Sequence, residues 1–172
     1  MRNEVPVILH LSQDDPRKCS ARKLARFNKA RLSHHFKELP FASILLDPFS
    51  KHALSPSDRH LLEDHGLVAV DCSWEDAERV FKKVRKVRRL HSRALPLLMA
   101  VNPVKFGKWG ELSTLEALAA SYYLLGDKGK ARDLLSIYNW AQKFIEINRE
   151  PLEAYSSCWE SSEVVEVQKE FV

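Results

Sequence analysis

Residues 55–74 read SPSDRHLLEDHGLVAVDCSW, and this stretch decides the fold class. Ser55 is a helix-capping residue type, Pro56 suits a first helical position, Asp58 answers Ser55 three residues on, and Gly66 readily closes a helix. An unbroken apolar run, residues 67–70, follows at once and ends on Asp71. Ser73 with Asp76 then marks a second capping box ahead of another helix. Helix, short apolar run, helix is the rhythm of a parallel sheet covered on both faces, because strands buried on both sides carry no polar alternation.

The same signal recurs outward in both directions. Residues 5–11 (VPVILHL), 42–46 (ASILL) and 97–101 (LLMAV) are further apolar runs of strand length. Helical spacing separates them. Residues 20–32 place Leu24, Phe27, Ala30 and Leu32 among basic residues, and residues 74–90 repeat apolar side chains at Trp74, Ala77, Phe81, Val84 and Val87. From residue 113 the pattern changes to helices alone. Ser113 and Glu116 open one that Gly126 closes, shorter ones are expected over 128–135, 138–148 and 151–158, and the acidic tail 160–172 reads as frayed or partly helical. The expected architecture is α/β: a parallel sheet in a domain over residues 1–93, then a mainly α-helical domain over 94–172.

The chain has 172 residues, 45% hydrophobic and 29% charged, which excludes a disordered, collagen-like or disulfide-scaffold protein. Cys19, Cys72 and Cys158 are far apart, with no CxxC or Cys/His ladder, so no metal site is expected and the thiols read as reduced and intracellular. No uncharged run is long enough to span a bilayer, and the acids around the first apolar run make a poor signal peptide. A cytoplasmic location is expected.

Charge is segregated. Residues 17–37 hold eight Lys/Arg and no acid, residues 79–93 hold eight more and no acid, and residues 146–170 hold seven acids against two bases. Set against 27 basic and 23 acidic residues overall, the two windows carry most of the cationic charge. Clustered Lys/Arg gains from counterion release on a nucleic acid, which favours an RNA surface; two solvated helix faces are the simpler reading.

No P-loop, GxGxxG, GxSxG or HExxH pattern occurs. The strand ends stand out instead: Asp14–Ser20, then Asp47-Pro48-Phe49-Ser50, then Asp71-Cys72-Ser73-Trp74, then the polar, aromatic and glycine-rich turn 102–110. Ligands of open parallel sheets bind beyond the carboxyl ends of the strands, where these loops would gather. Each also has a plain structural reading, as a cap (Asp71, Ser73), a core ring (Trp74) or a turn (Asp47-Pro48).

Together, DPRKCSARKL, LDPFSKHALSPSDR, GLVAVDCSW and LPLLMAVNPVKFGKWGELSTLEALAA resemble the signature blocks of the small-subunit rRNA aminocarboxypropyltransferases, over about residues 5–160 and in an archaeal-type length. The resemblance implies a SPOUT-like fold with a trefoil knot and transfer of the 3-amino-3-carboxypropyl (acp) group of S-adenosyl-L-methionine to N3 of a uridine or pseudouridine derivative in rRNA. It implies a cofactor site at Ser20, where Thr is common, with Leu46 and Pro48 against adenine. Val70, Asp71, Trp74 and Ala77 would lie near the ribose, sulfonium and methyl. Leu95 would join the adenine wall, and the segment from Trp109 through Leu112, Ser113 and Thr114 would read the base edge. Phe106 departs from the family's usual Tyr, so a hydroxyl role there is lost.

An acp transferase must bury the donor's methyl and present Cγ. Trp74 and Ala77 are the expected methyl pocket, and Asp71 the expected catalytic carboxylate, accepting the N3 proton or holding the donor's amino group. Arg17, Lys18, Arg22, Lys23, Arg26, Arg59, Lys105 and Lys108 are expected to hold RNA, with the target base flipped toward Cγ. No metal is needed. The helical half is expected to cover the surface through which SPOUT proteins dimerise, leaving a monomer. A SPOUT-type RNA methyltransferase and a non-enzymatic ribosome-assembly factor are the alternatives.

Overall fold

A computed structural model describes residues 5–11 and 19–172. The expected RNA contacts Arg17 and Lys18 lie outside the described residues, as does most of the first strand-end loop. The chain divides into two compact units, one of residues up to 51 with 60–94, the other of 52–59 with 95–172.

The first unit holds a five-stranded sheet in the order β2-β1-β4-β3-β5, with every pairing parallel. Its strands are β1 (Val7–His10), β2 (Arg31–Ser33), β3 (Ile44–Leu46), β4 (Leu67–Asp71) and β5 (His91–Arg93). Among them run α1 (Ser20–Arg26), α2 (Arg59–His65) and α3 (Trp74–Val84). Alternation along the strands explains the unbroken apolar runs. Val7, Leu9, Leu45 and Val68 point to one face, where they pack with Ala77, Val80, Phe81 and Val84 of α3. Ile8, Ile44 and Leu67 take the opposite direction and are at most 1% exposed.

Three of the four expected strands are present; residues 97–101 are not part of the sheet. β2 and β5 take the two edges, and the apolar-run reading missed both. Their sequences, RLS and HSR, are polar because edge strands have one open side and charge there discourages pairing with other chains. β5 begins just past the helix expected over residues 74–90, at the end of the basic window 79–93. α3 stops at Val84, and Arg88 and Arg89 take left-handed φ values of 58° and 53°, turning the chain back so that His91–Arg93 can pair with β3. α1 likewise ends at Arg26 instead of continuing to 32; Asn28 turns the chain at φ 57°, a conformation Asn tolerates better than most residues, and β2 follows.

In the deciding stretch, a single 3₁₀ turn at Pro56–Asp58 precedes α2, Asp58 Oδ2 accepts from the Ser55 N–H at 3.2 Å, and Gly66 ends the helix at φ 97°. The second capping box is different from expectation: the Ser73 hydroxyl donates to Asp76 Oδ2 at 2.9 Å, a side-chain bond that leaves no side-chain cap on the backbone of α3.

The second unit is helical: α4 (Thr114–Leu124), α5 (Lys128–Leu135), α6 (Lys143–Ile147), α7 (Arg149–Ser156) and α8 (Ser161–Gln168). The tail is thus an ordered helix, anchored by Val164, which is fully buried. Residues 52–59, expected with the sheet, cluster here instead. Ala53 N–H donates to Ser161 Oγ at 2.8 Å and Ser57 N–H to the Trp159 carbonyl at 2.9 Å. No helix among the described residues is long and apolar enough to cross a membrane.

Leu98, Ala100 and Val101 are buried and Leu97 and Met99 half-buried, and the backbone groups of this stretch must still find partners. Main-chain bonds serve Ala100 and the Leu98 carbonyl, and side chains supply others. Asn148 donates to the Met99 carbonyl at 2.9 Å and accepts from the Met99 N–H at 2.7 Å, as a neighbouring strand would. Gln168 accepts from the Leu97 N–H at 2.9 Å, Tyr155 donates to the Leu97 carbonyl at 2.8 Å, and Glu116 accepts from the Val101 N–H at 2.7 Å.

Candidate functional site

In the first unit the parallel register brings the carboxyl ends of β1, β3 and β4 to one side. His10 and Asp71, the last residues of β1 and β4, are register partners. Cys19, immediately before α1, returns to the same place. His10 Nε2 lies 3.3 Å from Cys19 Sγ and 3.4 Å from Asp71 Oδ2, and the Cys19 thiol donates to Asp71 Oδ2 at 3.7 Å. His10 is buried, whereas the Asp71 side chain is 22% exposed. Burial pushes the thiol of Cys19 above its ordinary range, and the Asp71 charge adds to the shift. Burial and then Asp71 do the same to Cys72. Both thiols are held protonated rather than activated.

The turn after β3 is fixed from below. Asp47 is buried, and Arg85, just past α3, grips it in a fork: Nε donates to Oδ2 at 2.6 Å and Nη2 to Oδ1 at 3.1 Å. Asp47 Oδ1 also accepts from the Phe49 N–H at 2.9 Å. The pairing with Asp47 raises the Arg85 pKa. Pro48 is therefore presented on a rigid turn, outside buried Leu46.

Of the expected cofactor residues in this unit, Ser20 opens α1 and is half-buried, Val70 is half-buried near the end of β4, and Trp74 opens α3 with 66% of its surface exposed. Ala77, one turn further, is 3% exposed and packs in the core under the helix. A tryptophan left uncovered at the start of a helix just past a strand end offers an indole face that a flat or cationic ligand can lie against.

In the second unit, Leu95, Leu112, Ser113 and Thr114 are half-buried and Trp109 is 42% exposed. The turn 99–109 closes on itself through an antiparallel bridge between Met99 and Trp109, with the Ala100 N–H donating to the Lys108 carbonyl at 2.9 Å and the Gly107 N–H to the Ala100 carbonyl at 2.8 Å. Gly107 and Gly110 take φ values of 83° and 78°, which side-chain-bearing residues rarely adopt. Glu116, with no exposed surface, fastens the base of this turn to the start of α4. Its Oε1 accepts from Val101 and Asn102 N–H, and its Oε2 from the Asn102 amide and the Ser113 N–H. Ser113 Oγ accepts from the Glu116 N–H in return, so this expected capping box is present.

Of the expected RNA contacts, Arg22, Arg26 and Lys108 are exposed and Lys23 is half-buried. Lys105 is ion-paired with Glu111 at 3.0 Å and lowers its pKa. Arg59, exposed, lays its guanidinium across Gly126, where a Cβ would stand 2.2 Å from Nη1.

Sequence reading passed over His10 and Cys19. Their separation of nine residues, and of 52 from Cys19 to Asp71, matches no ligand motif. The one available signal was that each stands at the end of an apolar run or the start of a helix, where a parallel sheet gathers its chemistry.

Fold and site define the class: an α/β protein with a five-stranded parallel sheet and His10, Cys19 and Asp71 gathered at the carboxyl ends of its central strands. Residues 44–172 match the family described as ribosome biogenesis protein, C-terminal. The 16S rRNA aminocarboxypropyltransferase of Methanosarcina mazei is 46% identical over 170 residues, 98% of this chain and 96% of that one. The enzyme of the same name from Methanocaldococcus jannaschii is 44% identical over 165 residues, 96% and 94% of the two chains. The solved structure of the SAM-dependent rRNA:acp-transferase Tsr3 from Vulcanisaeta distributa superposes with a TM-score of 0.87 at 41% identity, covering 98% of this chain and 95% of that one. The chain belongs to the 16S rRNA aminocarboxypropyltransferase family. Residues 7–36 also match a possible Fer4-like domain in RNase L inhibitor. That segment contains Cys19 as its single cysteine, so it does not fit an iron–sulfur cluster held by four thiolates.

Proposed function

We propose that this protein modifies small-subunit rRNA during ribosome biogenesis, transferring the acp group of S-adenosyl-L-methionine to N3 of a uridine or pseudouridine derivative. The whole-chain likeness to enzymes of that name supports the reaction, and the exposed Trp74 at the start of α3, just past Asp71 at the end of β4, supports the placement. The donor supplies an electrophilic Cγ next to a sulfonium cation. The N3–Cγ bond forms as Cγ–S breaks, N3 gives up its proton, and 5′-methylthioadenosine leaves.

The chain's own groups do the arranging. In the first unit the Trp74 face lies against the sulfonium and its methyl, over the Ala77 floor, while Leu46, Pro48 and Val70 wall adenine and ribose and the Ser20 hydroxyl reaches the methionine end. For the second unit the resemblance assigns an apolar adenine contact to Leu95 and reading of the base edge to the backbone of the segment from Trp109 through Leu112, Ser113 and Thr114. Asp71 holds the donor's amino group or accepts the N3 proton. Much of the acceleration comes from aligning N3 with Cγ. Arg22, Lys23, Arg26, Arg59 and Lys108 attract the RNA backbone, and Lys105 joins them when RNA phosphate displaces Glu111. The protein acts as a cytoplasmic monomer.

The knotted threading that the resemblance implies belongs to this proposal. A crystal structure whose chain pulls straight from both ends would remove it.

Donor labelled on the carboxyl carbon and, separately, on the methyl decides the reaction. Small-subunit rRNA should gain the carboxyl label alone. Gain of the methyl label instead would make this a methyltransferase.

A further inference from the structure

Among the described residues, His10, Cys19 and Asp71 are the cluster of His, Cys, Asp or Glu donors tight enough to share an ion, their ligand atoms all lying within 4.8 Å of one another. We infer that His10 Nε2, Cys19 Sγ and Asp71 Oδ2 form a binding site for a divalent metal ion of the zinc class, with its fourth position open.

The triangle has the right dimensions. Tetrahedral zinc with ordinary bonds sets ligand atoms apart by about 3.3 Å for nitrogen to oxygen, about 3.5 Å for sulfur to oxygen and about 3.6 Å for nitrogen to sulfur. The observed edges are 3.4, 3.7 and 3.3 Å. Nε2, Sγ and Oδ2 each face the other two, so all three converge on one point. A cation at the centre engages one lone pair from each.

The ligands are held in place before any ion arrives. His10 and Asp71 are fixed by the register of adjacent central strands, and Cys19 by the start of α1. The His10 side chain is 4% exposed and that of Asp71 22%, so the site is closed on the imidazole side and open on the carboxylate side. Three protein ligands and one open side make the pattern of sites that also hold water or substrate.

One consequence rests on the function proposed for Asp71. A carboxylate bound to a cation is a weak base, so a metal here makes Asp71 a positioning residue for the donor's amino group and not the acceptor of the N3 proton.

The test is metal binding by the intact protein. Chelator-stripped protein is titrated with Zn²⁺ against a competing dye and with Co²⁺ by absorption. One ion per chain is expected, tighter than about 1 μM, which is modest beside structural zinc sites. The cobalt form should show a thiolate charge-transfer band in the near ultraviolet and the strong visible bands of four-coordination. Cys19→Ala and His10→Ala should weaken binding at least about 100-fold, the upper range for loss of even an outer partner, while Cys72→Ser binds like the parent. Circular dichroism checks that each variant is folded. Parent protein with no ion bound at that affinity, or with a cobalt spectrum lacking the thiolate band, overturns the site, and so does a folded Cys19→Ala that keeps the band. The readout is the ion itself, so failure of acp transfer leaves the metal site standing and failure of metal binding leaves the transfer reading standing.

Discussion

Glu116 holds Asn102 twice: Oε1 accepts from its main-chain N–H and Oε2 from its side-chain amide, each at 2.9 Å. The same buried carboxylate accepts from Val101 and Ser113, so its charge is satisfied entirely by N–H donors. Glu116→Gln replaces one acceptor oxygen with a donor in the middle of other donors. It should lower stability by about 2–4 kcal/mol in chemical denaturation, and weaken cofactor binding by calorimetry if the turn it anchors touches the cofactor. A change under half a kcal/mol would show the turn to be held otherwise.

Asn148→Ala leaves both the N–H and the carbonyl of Met99 without the partner they now have. The expected loss is about 2–3 kcal/mol. Asn148→Asp should be little better, because it keeps the acceptor for the N–H and removes the donor to the carbonyl. Urea unfolding of the two variants measures both.

Arg85→Ala strips the fork from buried Asp47 and should cost about 3 kcal/mol, since a buried carboxylate is left with fewer partners. Arg85→Lys should recover less than half of that, because a single ammonium cannot reproduce two parallel bonds. Full recovery by lysine would mean that charge alone matters at this turn.

Trp74→Ala separates binding from folding. With the ring 66% exposed, stability should change by no more than about 0.5 kcal/mol. Affinity for S-adenosyl-L-methionine should fall at least about tenfold, the loss of a cation–π contact together with apolar cover. Unchanged affinity in isothermal titration would remove Trp74 from the site.

The Tyr155 phenol donates to the Leu97 carbonyl, and burial pushes its pKa up to about 12. A phenol whose folded pKa exceeds its unfolded value contributes stability that is complete below pH about 10 and is lost as pH climbs from there to about 12. Tyr155→Phe should therefore be less stable than the parent at pH 8, by about 1 kcal/mol for the missing hydrogen bond, and should lose stability less steeply above pH 10. Tyr122, also raised by burial, contributes its own alkaline slope to both proteins, so the difference between them isolates Tyr155.

The α/β half was legible wherever burial was complete. β1, β3 and β4 were read from their apolar runs because both faces of each are covered. The edge strands β2 and β5 carry no such run, since an edge needs polar side chains more than it needs core. Residues 97–101 show the converse: burial makes a run apolar, and whether a neighbouring strand or a set of side chains completes its hydrogen bonds is decided by residues as distant as Asn148 and Gln168. The same limit applies to the site. Asp71 and Trp74 were singled out because a strand end followed by a capped helix is a local pattern. His10 and Cys19 join Asp71 through strand register, which no spacing in the chain records.

In a sheet, the bonds that order a segment belong to the main chain and survive any substitution except proline. In residues 97–101 main-chain bonds hold Leu98 and Ala100, but Leu97, Met99 and Val101 are held by the side chains of Asn148, Glu116, Gln168 and Tyr155. Each of those anchors rests on one codon. Heritable lesions that loosen this stretch can therefore arise by single-base change far from it in the gene, with every residue of the stretch itself intact.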